Sequence, residues 1–142
     1  MNVRSIFLVA ATCAAGCGIE GKSGAPMPTG TEARQALEKA LDTWKAGKSP
    51  ASIADQAPKI DVVDYQWKAG DVLESYSIVA EKQGEGNKTF GVKLTLKKPP
   101  GSKDVEYMIL GKDPVRIYRD EDFTRMLNMD NNPGAGSKSR RR

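Results

Sequence analysis

The 142 residues contain no histidine and only two cysteines, Cys13 and Cys17. Together these facts remove most nucleophilic chemistry. Serine and cysteine nucleophiles normally rely on an imidazole base, and tetrahedral zinc sites are built from Cys and His. Gly84-Glu85-Gly86 lacks the helix and the Lys-Ser/Thr pair that follow a phosphate-cradling loop. Carboxylates and the thiols remain. Asp120-Glu121-Asp122 is a dense acidic run, but it lacks the alternating spacing of a calcium loop and is flanked by Arg119 and Arg125. It reads as a solvated helix start, and no metal is expected. Asp61 and Asp64 fall on opposite faces of a regular strand, which separates them as a general acid/base pair. No catalytic residue or cofactor is assigned, and the chain reads as non-enzymatic.

The thiols sit in a distinctive setting. Met1–Ser5 carries Arg4, Ile6–Ala15 is apolar apart from Thr12, and small residues surround Cys17. Positive, apolar and small-residue segments in that order form a secretory signal. The apolar run is about half the ~20 residues a transmembrane helix needs, and Gly16, Gly18 and Gly21 break its continuation. Residues 1–16 are therefore read as a signal peptide.

Ala14-Ala15-Gly16-Cys17 resembles a bacterial lipobox, departing from it at Ala14, where that family prefers Leu. The resemblance implies cleavage before Cys17, a diacylglycerol on its thiol, and usually an acyl chain on the new amino terminus. Cys13 follows Thr12 and fits less well. One acyl chain holds a protein only marginally, at ~0.8 kcal/mol per buried methylene, and two or three hold it stably. The expected location is the cell envelope, lipid-anchored on the exported side of a bacterial membrane, with an envelope protein as partner.

Loss of residues 1–16 leaves no cysteine but Cys17, so the exported domain has no disulfide. A domain of ~100 residues can bury a sufficient core without one. The 22 Lys and Arg fall to 21 without Arg4, and four of these (Lys138, Arg140, Arg141 and Arg142) lie near the end. The body thus balances 17 cations against 18 carboxylates. Nucleic-acid binding calls for a basic face on the folded body, and none is expected.

Residues 17–28 read as a lipid anchor followed by a Gly/Ser/Pro tether. Thr29 and Glu32 form a capping box, and Ala33, Leu37, Ala40, Leu41 and Trp44 recur at helical spacing. A helix is predicted over 30–46, ended by Gly47, with a second short helical turn after Pro50. Strands are predicted over 59–67, 72–82, 89–97, 104–110 and 115–118. In the first of these Tyr65 and Trp67 share a face, Tyr76 lies opposite on the next strand, and Val62 and Val63 suggest a bulge or a strand with both faces partly covered. These rings are read as packing beneath the helix beside Trp44. Asp120 is predicted to start a last short helix using Phe123, Met126 and Leu127, and residues 128–142 form a disordered basic tail.

The resulting α+β class, over 29–127, places one N-terminal helix on a curved antiparallel sheet of four or five strands. This order is similar to cystatin-like and nuclear-transport-factor-like folds. The cystatin inhibitory hairpin Gln-Val-Val-Ala-Gly is absent, so protease inhibition does not carry over. A cone-shaped pocket with an inward carboxylate would signal a small-ligand protein or an isomerase- or hydratase-like enzyme. A filled core would signal a structural or protein-interaction module.

Overall fold

The structure, a computed structural model, describes residues 26–130. Helix α1 spans Gly30–Lys45, one residue short of the predicted end. Its capping box forms in both directions: Glu32 N–H donates to Thr29 Oγ1, and Thr29 N–H to Glu32 Oε2. At the other end Gly47 adopts φ +73°, its N–H bonding Trp44 O while Lys48 N–H bonds Thr43 O. This pair of bonds closes the helix as a Schellman motif.

Helix α2 (Ala51–Ala54) leads into β1 (Ile60–Val63), α3 (Tyr65–Lys68) and the long strands β2 (Val72–Gln83), β3 (Lys88–Lys98) and β4 (Pro100–Leu110). Strand β5 (Val115–Arg119) and helix α4 (Asp120–Asp130) complete the described chain. The five strands form one curved sheet in the order β1-β5-β4-β3-β2, giving an α+β fold.

Three expectations change. The sheet is mixed, because β1 runs parallel to β5 with Ile60 opposite Val115. Helix α1 starts beside Lys112, just before β5, where Glu32 pairs with it, and α2 and the loop to Lys59 return the chain to Val115, so β1 enters the sheet in β5's direction. Second, the strand predicted over 59–67 stops at Val63. Asp64 Oδ1 accepts the N–H groups of Gln66 and Trp67 and caps α3 instead. Tyr65 and Trp67 are thus helical, and Tyr76 faces α1, donating its hydroxyl to Asp42 Oδ1. Third, α4 runs through Asp130, so residues 128–130 are helical rather than tail.

The irregularities lie in the β2–β3 ladder, and in β1 both faces are partly covered, with Val62 buried and Val63 half-buried on the opposite face. The β2–β3 register shifts between Val72 and Leu73, around Glu74 and again around Val79, and such bulges bend a strand and increase its local twist. One sheet face is buried against the helices. Alternation places Phe90, Val92, Leu94 and Leu96 of β3 beside Val105, Tyr107 and Ile109 of β4. Ala33, Leu37, Ala40, Leu41 and Trp44 of α1 cover them, leaving a filled core. Small alanines let the helix approach closely while Trp44 and Leu37 supply bulk.

Candidate functional site

The most unusual chemistry lies where α3 and α4 meet the ends of β4 and β5. Asp64, Arg119 and Asp122 are buried there with Tyr107. Tyr107 and Arg119 face inward because the periodicity of β4 and β5 continues through them, and Tyr107 pairs directly with Arg119 across the strands. The Tyr107 hydroxyl donates to Asp64 Oδ2 at 2.7 Å. Arg119 Nη2 donates to Asp122 Oδ1 at 3.0 Å, while its Nη1 stands 3.9 Å from Asp64 Oδ1. Asp122 Oδ2 accepts the backbone N–H of Tyr65 at 2.9 Å, tying α4 to α3. Exposed Glu121 adds a rim contact to Arg119 at 3.3 Å. Lys68 and Arg125 both stand over the ring of Tyr65, at 5.9 and 5.6 Å.

Two buried carboxylates face one guanidinium. Asp122 makes the tight pair, and burial raises the affinity of Asp64 for its proton against the hydrogen bonds from Tyr107 and Trp67 and the charge of Arg119. Burial likewise holds the Tyr107 hydroxyl protonated well beyond the ordinary tyrosine range, reinforced by the neighbouring Asp64.

The sign of the pH effect follows. A carboxyl whose affinity for its proton rises on folding contributes stability that is fully present below its unfolded value, about 4. That contribution is lost as pH rises through the folded value. Asp64→Asn imitates the protonated form at every pH. Urea midpoints for the parent and this variant are expected to favour the parent more at pH 4 than at pH 8. A difference that widens towards high pH would contradict the assignment.

The carboxylates of the cluster are spent on structure, whereas Arg119 Nε is buried without a hydrogen-bond partner. Asp64 Oδ1 caps α3, Oδ2 is held by Tyr107, and Asp122 uses one oxygen on each of its partners. None of these residues lines the grooves at the α1–α2 and α3–β2 joints or beside Pro28. The expected separation of Asp61 and Asp64 is observed, with Asp61 exposed on β1 and Asp64 buried. Of the acidic run, Asp120 and Glu121 are exposed and Asp122 is fully buried, so it is not simply a solvated helix start. Cys17 lies outside the described residues, as do residues 131–142. Among the described residues no three His, Cys, Asp or Glu side chains form a metal-holding group.

The largest of these grooves encloses about 510 Å³ between the α1–α2 turn and the α3–β2 turn. Trp44 and Trp67 stack in its wall, centroids 5.7 Å apart and planes at 14°. Trp67 thus packs beside Trp44 as expected, while Tyr65 stays exposed. Each indole crosses to the other turn: Trp44 Nε1 donates to Asp71 O at 2.7 Å, and Trp67 Nε1 to Lys48 O at 2.8 Å. The pair is a cross-brace, and both indole donors are consumed by backbone.

The missed members of the cluster, Tyr107 and Arg119, had a readable signal. Val105-x-Tyr107-x-Ile109 and Val115-x-Ile117-x-Arg119 alternate, so an inward arginine demands a buried counter-charge.

No protein-family model matches the chain, and no curated protein matches it. Among solved structures it is similar to the crystal structure of a de novo designed protein with a curved β-sheet. The TM-score is 0.43 at 14% identity, over 74% of this chain and 98% of that one.

Proposed function

We propose that the protein is an envelope lipoprotein, exported by residues 1–16, anchored through Cys17, and carrying a non-catalytic domain that serves as a structural or protein-interaction module. The observation that carries the non-catalytic half is the filled inner face of the sheet. Where a cone-shaped pocket would open, the apolar stripe of α1 shares one buried core with side chains of β3 and β4, while the helix itself runs nearest β1, β2 and β5. The buried carboxylate of Asp64 caps a helix. The anchoring half rests on the apolar run and on Ala14-Ala15-Gly16-Cys17.

The test uses the intact chain in a bacterial host. Mass spectrometry of the purified protein is expected to show loss of residues 1–16 and a diacylglycerol on Cys17. Cys17→Ala is expected to leave the membrane fraction or accumulate uncut. An unmodified, uncleaved parent chain would end this reading.

A further inference from the structure

The groove between the α1–α2 turn and the α3–β2 turn is held open by the structure around it. Its two turns are tied to each other twice, by Trp44 Nε1 to Asp71 O and by Trp67 Nε1 to Lys48 O. The walls cannot move together or apart without breaking those bonds. Val72, exposed to 37%, and half-buried Pro50 join the indole pair in the lining. Gly47 and Gly70 line the mouth at positive φ, and a Cβ at either would meet nothing within 4 Å. The space in front of both turns is therefore open. Its volume, about 510 Å³, falls within the ~300–1,000 Å³ of small-molecule sites. Charge surrounds this apolar lining unevenly. Lys48 and Lys68 flank it, and both are exposed. Neither enters an ion pair among the described residues, and Lys68 only stands over the Tyr65 ring. Lys98 lies opposite Val72 across the β2–β3 ladder. Against these three cations stands one carboxylate of the lining, half-buried Asp71.

We propose that this groove is a binding site for a small organic anion, an apolar body carrying a carboxylate. The body would displace water from Val72, Pro50 and the indole pair. The carboxylate would remain at the wet rim beside Lys48 and Lys68, where pairing does not require burying a charge. An ammonium group at the same end would meet like charges and gain only Asp71. Neither indole can donate to the ligand, because both N–H groups are consumed by backbone. Recognition thus rests on apolar contact and charge, which selects a class of molecule. The site lies outside the filled core and stands apart from the anchoring reading.

The test uses the full chain carrying Cys17→Ala, isotope-labelled for nuclear magnetic resonance. Its only two tryptophans, Trp44 and Trp67, both line the groove, so their indole N–H signals report on it. Phenylbutyrate is expected to shift both signals saturably. Phenylbutanol, the same body without the charge, is expected to bind roughly fivefold more weakly, and phenylbutylamine more weakly than the alcohol. K48Q/K68Q is expected to reduce the preference for the acid over the alcohol to about twofold or less. Asp71→Asn is expected to strengthen binding of the acid about twofold. Both variants should keep the circular dichroism spectrum of the parent. K59Q/K93Q removes the same charge at exposed positions outside the lining and is expected to leave binding unchanged. Absence of a saturable shift, tighter binding of the amine than of the acid, or an acid preference unchanged in K48Q/K68Q would overturn the proposal. Equal weakening by K59Q/K93Q would also overturn it, in favour of a response to net charge. No lipid is present on this chain, so the result is independent of whether the anchoring reading holds.

Discussion

Arg119→Met is expected to cost about 3–5 kcal/mol of folding stability, the range for removing one partner of a buried ion pair. Methionine nearly fills the volume but removes the counter-charge from Asp122, which is fully buried. Asp122 would keep only the Tyr65 N–H, and Asp64 would lose the nearby cation. The joint between α3, α4 and the sheet is where the loss would concentrate. Urea denaturation gives the total, and hydrogen exchange at Tyr65 and Trp67 gives the location. The doubly substituted Arg119→Met, Asp122→Asn chain should recover part of the loss, because Asp122 is then no longer a buried charge without its opposite. A single-variant cost below about 1 kcal/mol, the range of exposed pairs, would mean that the cluster is solvated in solution.

Trp44→Ala is expected to cost a comparable 3–5 kcal/mol, as large-to-small changes of buried aromatics do. Three losses combine at this position: buried area, the stack on Trp67, and the bond to Asp71 O. The stack alone contributes roughly 0.5–1.5 kcal/mol. Trp44→Phe retains an aromatic ring and loses chiefly the hydrogen bond, at about 1 kcal/mol. Both tryptophans of the chain sit in this brace, so near-ultraviolet circular dichroism follows its integrity directly. Equal destabilisation by Phe and Ala would show that the hydrogen bond, rather than the packing, holds the two turns together.

Legibility in the sequence follows the range of the interactions. Helix α1 was readable to one residue because everything that bounds it is local: Thr29 and Glu32 at one end, Gly47 at the other. Strand β3 was readable because Phe90, Val92, Leu94 and Leu96 alternate against polar neighbours. Helix α3 was not. Tyr65 and Trp67 favour strands and share a face at a spacing of two, while a helix of four residues shows no period of its own. Its one local sign is Asp64, and the capping role of that side chain competes with the strand pattern around it. The parallel pairing of β1 with β5 joins residues more than fifty positions apart, which no local pattern encodes. The cluster was half visible. Asp64 and Asp122 were noticed as acids, but as an unlikely base and as part of a solvated run. Alternation marks Tyr107 and Arg119 as inward-facing, but which acids they meet is set only when three-dimensional pairing brings four separate elements together. The curved sheet around a helix was inferred correctly from element order, whereas its mixed direction was not.

The doubled irregularity of β2 has a consequence for how copies of this molecule behave when crowded. An outermost strand of twelve residues offers a long row of unused backbone groups to any passing chain. The displaced residues at Glu74 and Val79 break that row into short pieces, and Glu74, Glu81 and Lys82 place charge along it. A second chain laid alongside would fall out of step within a few residues. The same distortion that wraps the sheet around its helix therefore defends the protein against fibril growth.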